Sequence, residues 1–181
     1  MRAAKEIALV SVFTALLIGG QLALSGISGV EIVTVLLLSF SYYFGVRRGL
    51  FVANAFSLLR CFIFGFFVNV IILYLVYYNL FVIIFGLFGK RVKKKLNIKV
   101  HIVLVVSACI MTIAFTGLDD IITPLYYGFS LDAAKAYAIA SLAAVVPQLI
   151  CTLCTVALLL PILVRIFKNT NFVDENKSRT L

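Results

Sequence analysis

A chain of 181 residues that is 64% hydrophobic and 13% charged, with a mean hydropathy of +1.16, is unlike soluble domains, which run about 45–50% apolar and about 25% charged. So short a chain has too little interior to bury that much apolar surface in water, so lipid is its solvent; a disordered chain, a disulfide-scaffolded toxin and a soluble enzyme are excluded. The net charge of +9 does not mark a nucleic-acid partner, because the basic residues sit in short clusters between apolar runs, as topology signals do.

A spanning helix needs about 20 mostly apolar residues. The first run, Ile7 to Leu24, meets that length. It has no A-x-A cleavage site and is read as mature structure rather than a signal peptide. Ser25-Gly26-Ile27-Ser28-Gly29 breaks it. The second run, Val30 to Val46, ends at Gly45 and Arg47-Arg48. The third, Gly49 to Phe64, carries Arg60 inside it, and Gly65 turns the chain into the fourth, Phe66 to Gly89. The basic loop from Lys90 to Lys95 leads to the fifth, Val100 to about Leu118. An irregular stretch, Asp119 to Leu131, holds Pro124 and Gly128 and is expected to form a lid or rim over a pocket. The sixth run, Asp132 to Phe167, contains Pro147 and Pro161. Proline removes an intrahelical hydrogen bond, so this segment is expected to be bent or broken.

The expected fold is an all-α integral membrane protein with six transmembrane helices and both termini cytoplasmic. Residues 1–168 form one transmembrane domain and 169–181 a polar cytoplasmic tail. With the N-terminus inside, 14 of the 16 basic residues fall on the inner side, while Glu31, Asp119, Asp120 and Asp132 fall outside against Lys135. That is the positive-inside asymmetry of membrane proteins.

Several residues are more than apolar filler. The first helix carries small residues four apart: Ala4 and Ala8, Ser11 and Ala15, Gly19 and Ala23. Such faces let a second helix approach closely, either within the bundle or on another membrane protein. Arg60 is the costliest residue, since a central charge costs about 2.5–3.5 kcal/mol on insertion scales. At 12 residues beyond Arg48 it lies ~18 Å up a helix, in the outer half with Glu31. The depths allow a Glu31–Arg60 pair, and both residues are expected to line or brace a pocket open to the outside. Phe62, Phe66 and Tyr127 are expected to supply its apolar wall. Asp119, Asp120 and Tyr126 are placed at the rim. The cysteines Cys61, Cys109, Cys151 and Cys154 lie in apolar runs and read as small hydrophobes. His101 reads as an interfacial residue. Asn54, Asn69, Asn79 and Gln148 read as interhelical hydrogen-bonding groups. The sequence has no Walker motif, no H-E-x-x-H, no G-x-S-x-G and no cluster of metal ligands, so no catalytic role, metal or cofactor is assigned.

In their order along the chain these features resemble the substrate-binding S components of energy-coupling factor (ECF) transporters. The likeness rests on the short basic N-terminus and small-residue first helix. It continues in Gly29-Val30-Glu31-Ile32-Val33-Thr34, similar to the family's NVE-x-V start of the second helix, with Gly29 where Asn is common. Phe44-Gly45-Val46-Arg47-Arg48-Gly49 is similar to its inner turn and Phe64-Gly65-Phe66 to its outer turn. Val146-Pro147 opens a polar stretch of the sixth helix, with Thr152 and Thr155 where His and Asn are frequent. The resemblance implies a bacterial plasma-membrane protein that captures a vitamin or vitamin precursor at the outer face without hydrolysing ATP. Glu31, Thr34, Arg60, Asp119, Asp120 and Tyr126 would contact the ligand. Ala4, Ala8, Ser11 and Ala15 would dock on a transmembrane coupling protein that carries two cytoplasmic ATPases. Cobalamin-like compounds, pantothenate and thiamine precursors all remain open as ligands. The competing readings are a self-sufficient secondary transporter, a small intramembrane enzyme and an assembly subunit of a membrane complex.

Overall fold

The computed structural model describes residues 2–27 and 29–169, with side chains from residue 4 onward. Ser28 and the polar tail beyond Asn169 lie outside the described residues. The described chain is all helical: α1 (Arg2–Leu24), α2 (Val33–Phe44), α3 (Val46–Leu59), α4 (Cys61–Phe64), α5 (Val68–Arg91), α6 (Ile98–Tyr127) and α7 (Leu131–Asn169). Four of these, α1, α5, α6 and α7, are long and apolar enough to cross a membrane. At 39 residues, α7 is about 58 Å long and exceeds the ~30 Å hydrocarbon layer. At 12 residues, α2 is about 18 Å long and falls short of that layer as a regular helix. The short α4 continues α3: Arg60 keeps helical dihedrals of −59° and −25°, and its N–H still reaches the Phe56 carbonyl at 3.1 Å.

Contacts between the helices fix their directions. Arg48 and Glu6 form an ion pair of 2.7 Å, and Arg60 meets Gln21, so α1 and α3 run parallel. Asn54 and Asn79 exchange amide hydrogen bonds of 3.1 and 3.0 Å. A Cβ at Gly86 would strike Val46, so α5 runs against α3. Asn69 with Thr123 and Tyr77 with Phe115 set α6 against α5. Thr112 with Thr152 and Asp119 with Tyr137 set α7 against α6. Counting α3 and α4 as one segment, the six segments alternate in direction. The alternation gathers Arg48 and the Lys90–Lys95 loop at one end of the bundle and Glu31, Arg60 and Asp119 at the other.

The core is built around α2, all twelve of whose residues are buried. It packs against α1, α3, α5 and α7, which is why a helix apolar on every side suits that position. Phe40 and Phe44 interlock with Phe13 of α1 and Phe167 of α7. On the opposite side α5 approaches through glycine. A Cβ on Gly89 would lie 2.9 Å from the Tyr42 carbonyl carbon and 3.0 Å from its Cα. Backbones this close need a residue without a side chain, the usual device for tight helix contact in lipid.

Two expectations change here. The stretch from Asp119 to Tyr127 is helical, and only Gly128–Ser130 lies outside α6 and α7. Pro124 sits inside the last turns of α6. The aspartates are accommodated there because α7 supplies their donors. Tyr137 donates to Asp119 at 2.7 Å and Ser141 to Asp120 at 2.9 Å. The sixth segment, expected to be bent or broken, has no break: helix α7 runs continuously through Pro147 and Pro161. Each proline forfeits one backbone bond, a loss that packed neighbours make tolerable in membrane helices.

Candidate functional site

A cavity of about 380 Å³ lies where the end of α1, the loop that follows it, the start of α2, the α3–α4 junction and parts of α5, α6 and α7 converge. Small-molecule sites fall in the range of about 300–1,000 Å³, mostly apolar with a few convergent polar groups. Its apolar wall is Leu24, Ile27, Val30, Val33, Phe64 and Phe115, together with Tyr74, Tyr77 and Tyr78. Its polar groups are Gln21, Ser25, Glu31, Thr34, Arg60, Thr112 and Gln148.

The acid is held by the loop that precedes α2. Cys151 of α7 clamps the Glu31 peptide twice: the Glu31 N–H donates to Sγ at 3.2 Å, and the thiol donates to the Glu31 carbonyl at 3.2 Å. Gly29 permits that close seat. Its φ is +78°, a left-handed value that favours glycine, and an added Cβ would lie 2.6 Å from the Pro147 Cβ. Thr34 then donates to Glu31 Oε1. Thr152 of α7 lies 3.0 Å from Thr112 of α6, a hydroxyl pair that joins these two helices beside the cavity.

The base is held differently. Arg60 donates from Nε to Gln21 Oε1 at 3.2 Å, and Gln21 donates onward to the Tyr74 hydroxyl at 3.3 Å. The guanidinium carbon lies 4.2 Å from the Tyr74 ring centre and 4.9 Å from that of Phe64, within the roughly 6 Å range of cation–π attraction. The side chain is 9% exposed. Among the described residues, no salt bridge joins Arg60 to Glu31. The two charges line one cavity, each braced by neutral groups.

Of the six residues read as ligand contacts, the fold thus brings Glu31, Thr34 and Arg60 to one cavity. The other three lie outside its lining. Asp119 and Asp120 are turned toward Tyr137 and Ser141, where they join α6 to α7, and Tyr126 is half exposed and stacked edge-on with Tyr127. Phe62, Phe66 and Tyr127, expected as the wall, are instead 75%, 65% and 53% exposed, as aromatic side chains at a membrane interface are. The wall comes from the tyrosines of α5. Tyr74, Tyr77 and Tyr78 carry an i, i+3, i+4 signal on one helix face that the sequence itself contains. Cys151 carried none, because its partner is 120 positions away. Ala4, Ala8, Ser11 and Ala15 all lie on the exposed face of α1, so their stripe is not used for packing inside the chain.

A second cavity, of about 480 Å³, opens at the opposite end of α2 beside Tyr42, Gly45, Gly86 and the lysines Lys90, Lys93 and Lys94. Lys94 lies 4.9 Å over the Tyr43 ring. Partial burial, helped by the Arg48 charge, pulls its pKa below the ordinary lysine value. Comparison of the chain with protein-family models, curated proteins and solved structures gives no significant match.

Proposed function

We propose that this protein is the membrane-embedded substrate-binding subunit of an ECF-type micronutrient importer, a six-span protein of the bacterial plasma membrane with both termini cytoplasmic. The observation that carries the reading is the aromatic-walled cavity holding one buried base and one acid at the end of the bundle remote from the lysine-rich loop. By the positive-inside rule that loop is cytoplasmic, so the cavity faces outward. Its volume and mixture of apolar wall and few polar groups suit a vitamin or vitamin precursor. The exposed small-residue face of α1 offers a coupling protein close approach, and that protein with two ATPases would supply the energy for which this sequence has no motif.

The reading is tested by purifying the protein in mild detergent and analysing the extracted small molecules by mass spectrometry, followed by uptake in vesicles. An organic micronutrient is expected at near one equivalent. Uptake against a gradient is expected only with the coupling protein and ATPases present. Ion-driven accumulation by the protein alone would overturn the reading in favour of a secondary transporter.

A further inference from the structure

Resting on that reading of the cavity, we infer that its ligand is dipolar, an aromatic compound carrying a cationic group that pairs with Glu31 and an anionic group that pairs with Arg60. Glu31 and Arg60 line the same cavity, and no salt bridge joins them. Among the described residues neither forms a salt bridge: the carboxylate accepts from the Thr34 hydroxyl, and Arg60 Nε donates to the Gln21 amide oxygen. A guanidinium has five N–H donors, and Gln21 takes one of them. The remaining donors have no hydrogen-bond partner among the described residues.

Charges withdrawn from water are costly unless paired. A ligand of one sign would compensate one of these residues and leave the other uncompensated while displacing its water. A ligand of both signs compensates both and brings no net charge into the cavity. Tyr74, Tyr77, Tyr78 and Phe115 line the same cavity as the two charges. Their faces favour a flat ring, and Tyr74 already stacks on the guanidinium.

The test uses three dipolar probes of increasing charge separation: phenylalanine, 4-(aminomethyl)benzoate and 4-(2-aminoethyl)benzoate. Each is compared with its amine-only and acid-only analogue. Binding to the ligand-stripped protein in nanodiscs is followed by calorimetry at millimolar concentration. At least one dipolar probe should bind about tenfold or more tightly than both of its analogues, an advantage of about 1.4 kcal/mol. Arg60→Gln should reduce that probe to the level of the amine, and Glu31→Gln to the level of the acid. Arg60→Lys should retain part of the advantage, and it carries the test if Glu31→Gln does not fold. An acid that binds as tightly as its dipolar counterpart would overturn the inference, as would equal binding of all three charge types or of none. A neutral or singly charged micronutrient found in the purified protein would leave the capture function standing and remove the dipolar ligand. Absence of any bound micronutrient, together with no probe binding, would remove both.

Discussion

The helices α1 and α2 are both apolar over most of their length and opposite in place. Charge enters only the first two turns of α1, at Arg2, Lys5 and Glu6, and Gln21 stands near its end, while α2 carries no charged residue. Yet α2 is buried at all twelve positions, whereas only 17% of the apolar window of α1 is buried. In water such a difference would have to be written in composition, because an exposed apolar helix is driven inward. In lipid the tails are as apolar as leucine, and helices associate through packing and hydrogen bonds instead. Centrality is then set by the shape of the neighbours: Gly89 of α5, which admits the α2 backbone, and the phenylalanines of α1 and α7 that close around it.

The largest effect should come from filling the α2–α5 contact. Gly89→Val places side-chain atoms against the Tyr42 backbone and should cost about 3 kcal/mol, the upper part of the usual overpacking range. Reversible unfolding in mixed micelles would measure it, and a variant as stable as the parent would dissolve the contrast between the two helices. Next, Phe40→Ala removes a fully buried ring. A loss of about 3 kcal/mol is expected, the low end for buried Phe because the unfolded chain in lipid still solvates the ring.

A smaller effect belongs to the cavity between the ends of these helices. Arg60→Ala should weaken capture of the co-purifying micronutrient by about tenfold, or about 1.4 kcal/mol. Unchanged affinity in a folded variant, read by equilibrium dialysis, would take Arg60 out of the ligand's reach. Smallest of all for the fold is Ala15→Trp on the exposed face of α1, which should alter stability by no more than about 0.5 kcal/mol. On the proposed function the same variant should abolish uptake, because the bulky ring would hold a coupling protein off. Unimpaired uptake would make that face a lipid surface, and a large loss of stability would make α1 a core helix like α2.

The candidate site was legible in part. Arg60 announced itself as a charge in an apolar run, and Glu31 as an acid at a segment boundary; both reach the cavity. Their direct pairing was an inference from depth alone. The structure shows no salt bridge between them; Arg60 Nε instead donates to Gln21, 39 positions earlier in the chain. Asp119 and Asp120 looked like rim residues because Pro124 and Gly128 read as a loop. Donors on α7 hold them inside a helix instead.

Run length, charge sorting and the scarcity of polar residues determined on their own that this is a helical protein suited to a membrane, with its basic residues toward one end. They do so because spanning length and the cost of charge in lipid are local properties, felt residue by residue. Which helix lies at the centre, which acids face the cavity and which tyrosines wall it were decided only by the tertiary structure. Those outcomes depend on contacts such as Glu31 with Cys151, 120 positions apart, and on backbone approach at Gly89. In a medium where interior and exterior are equally apolar, such fits leave little trace in the hydropathy of the chain.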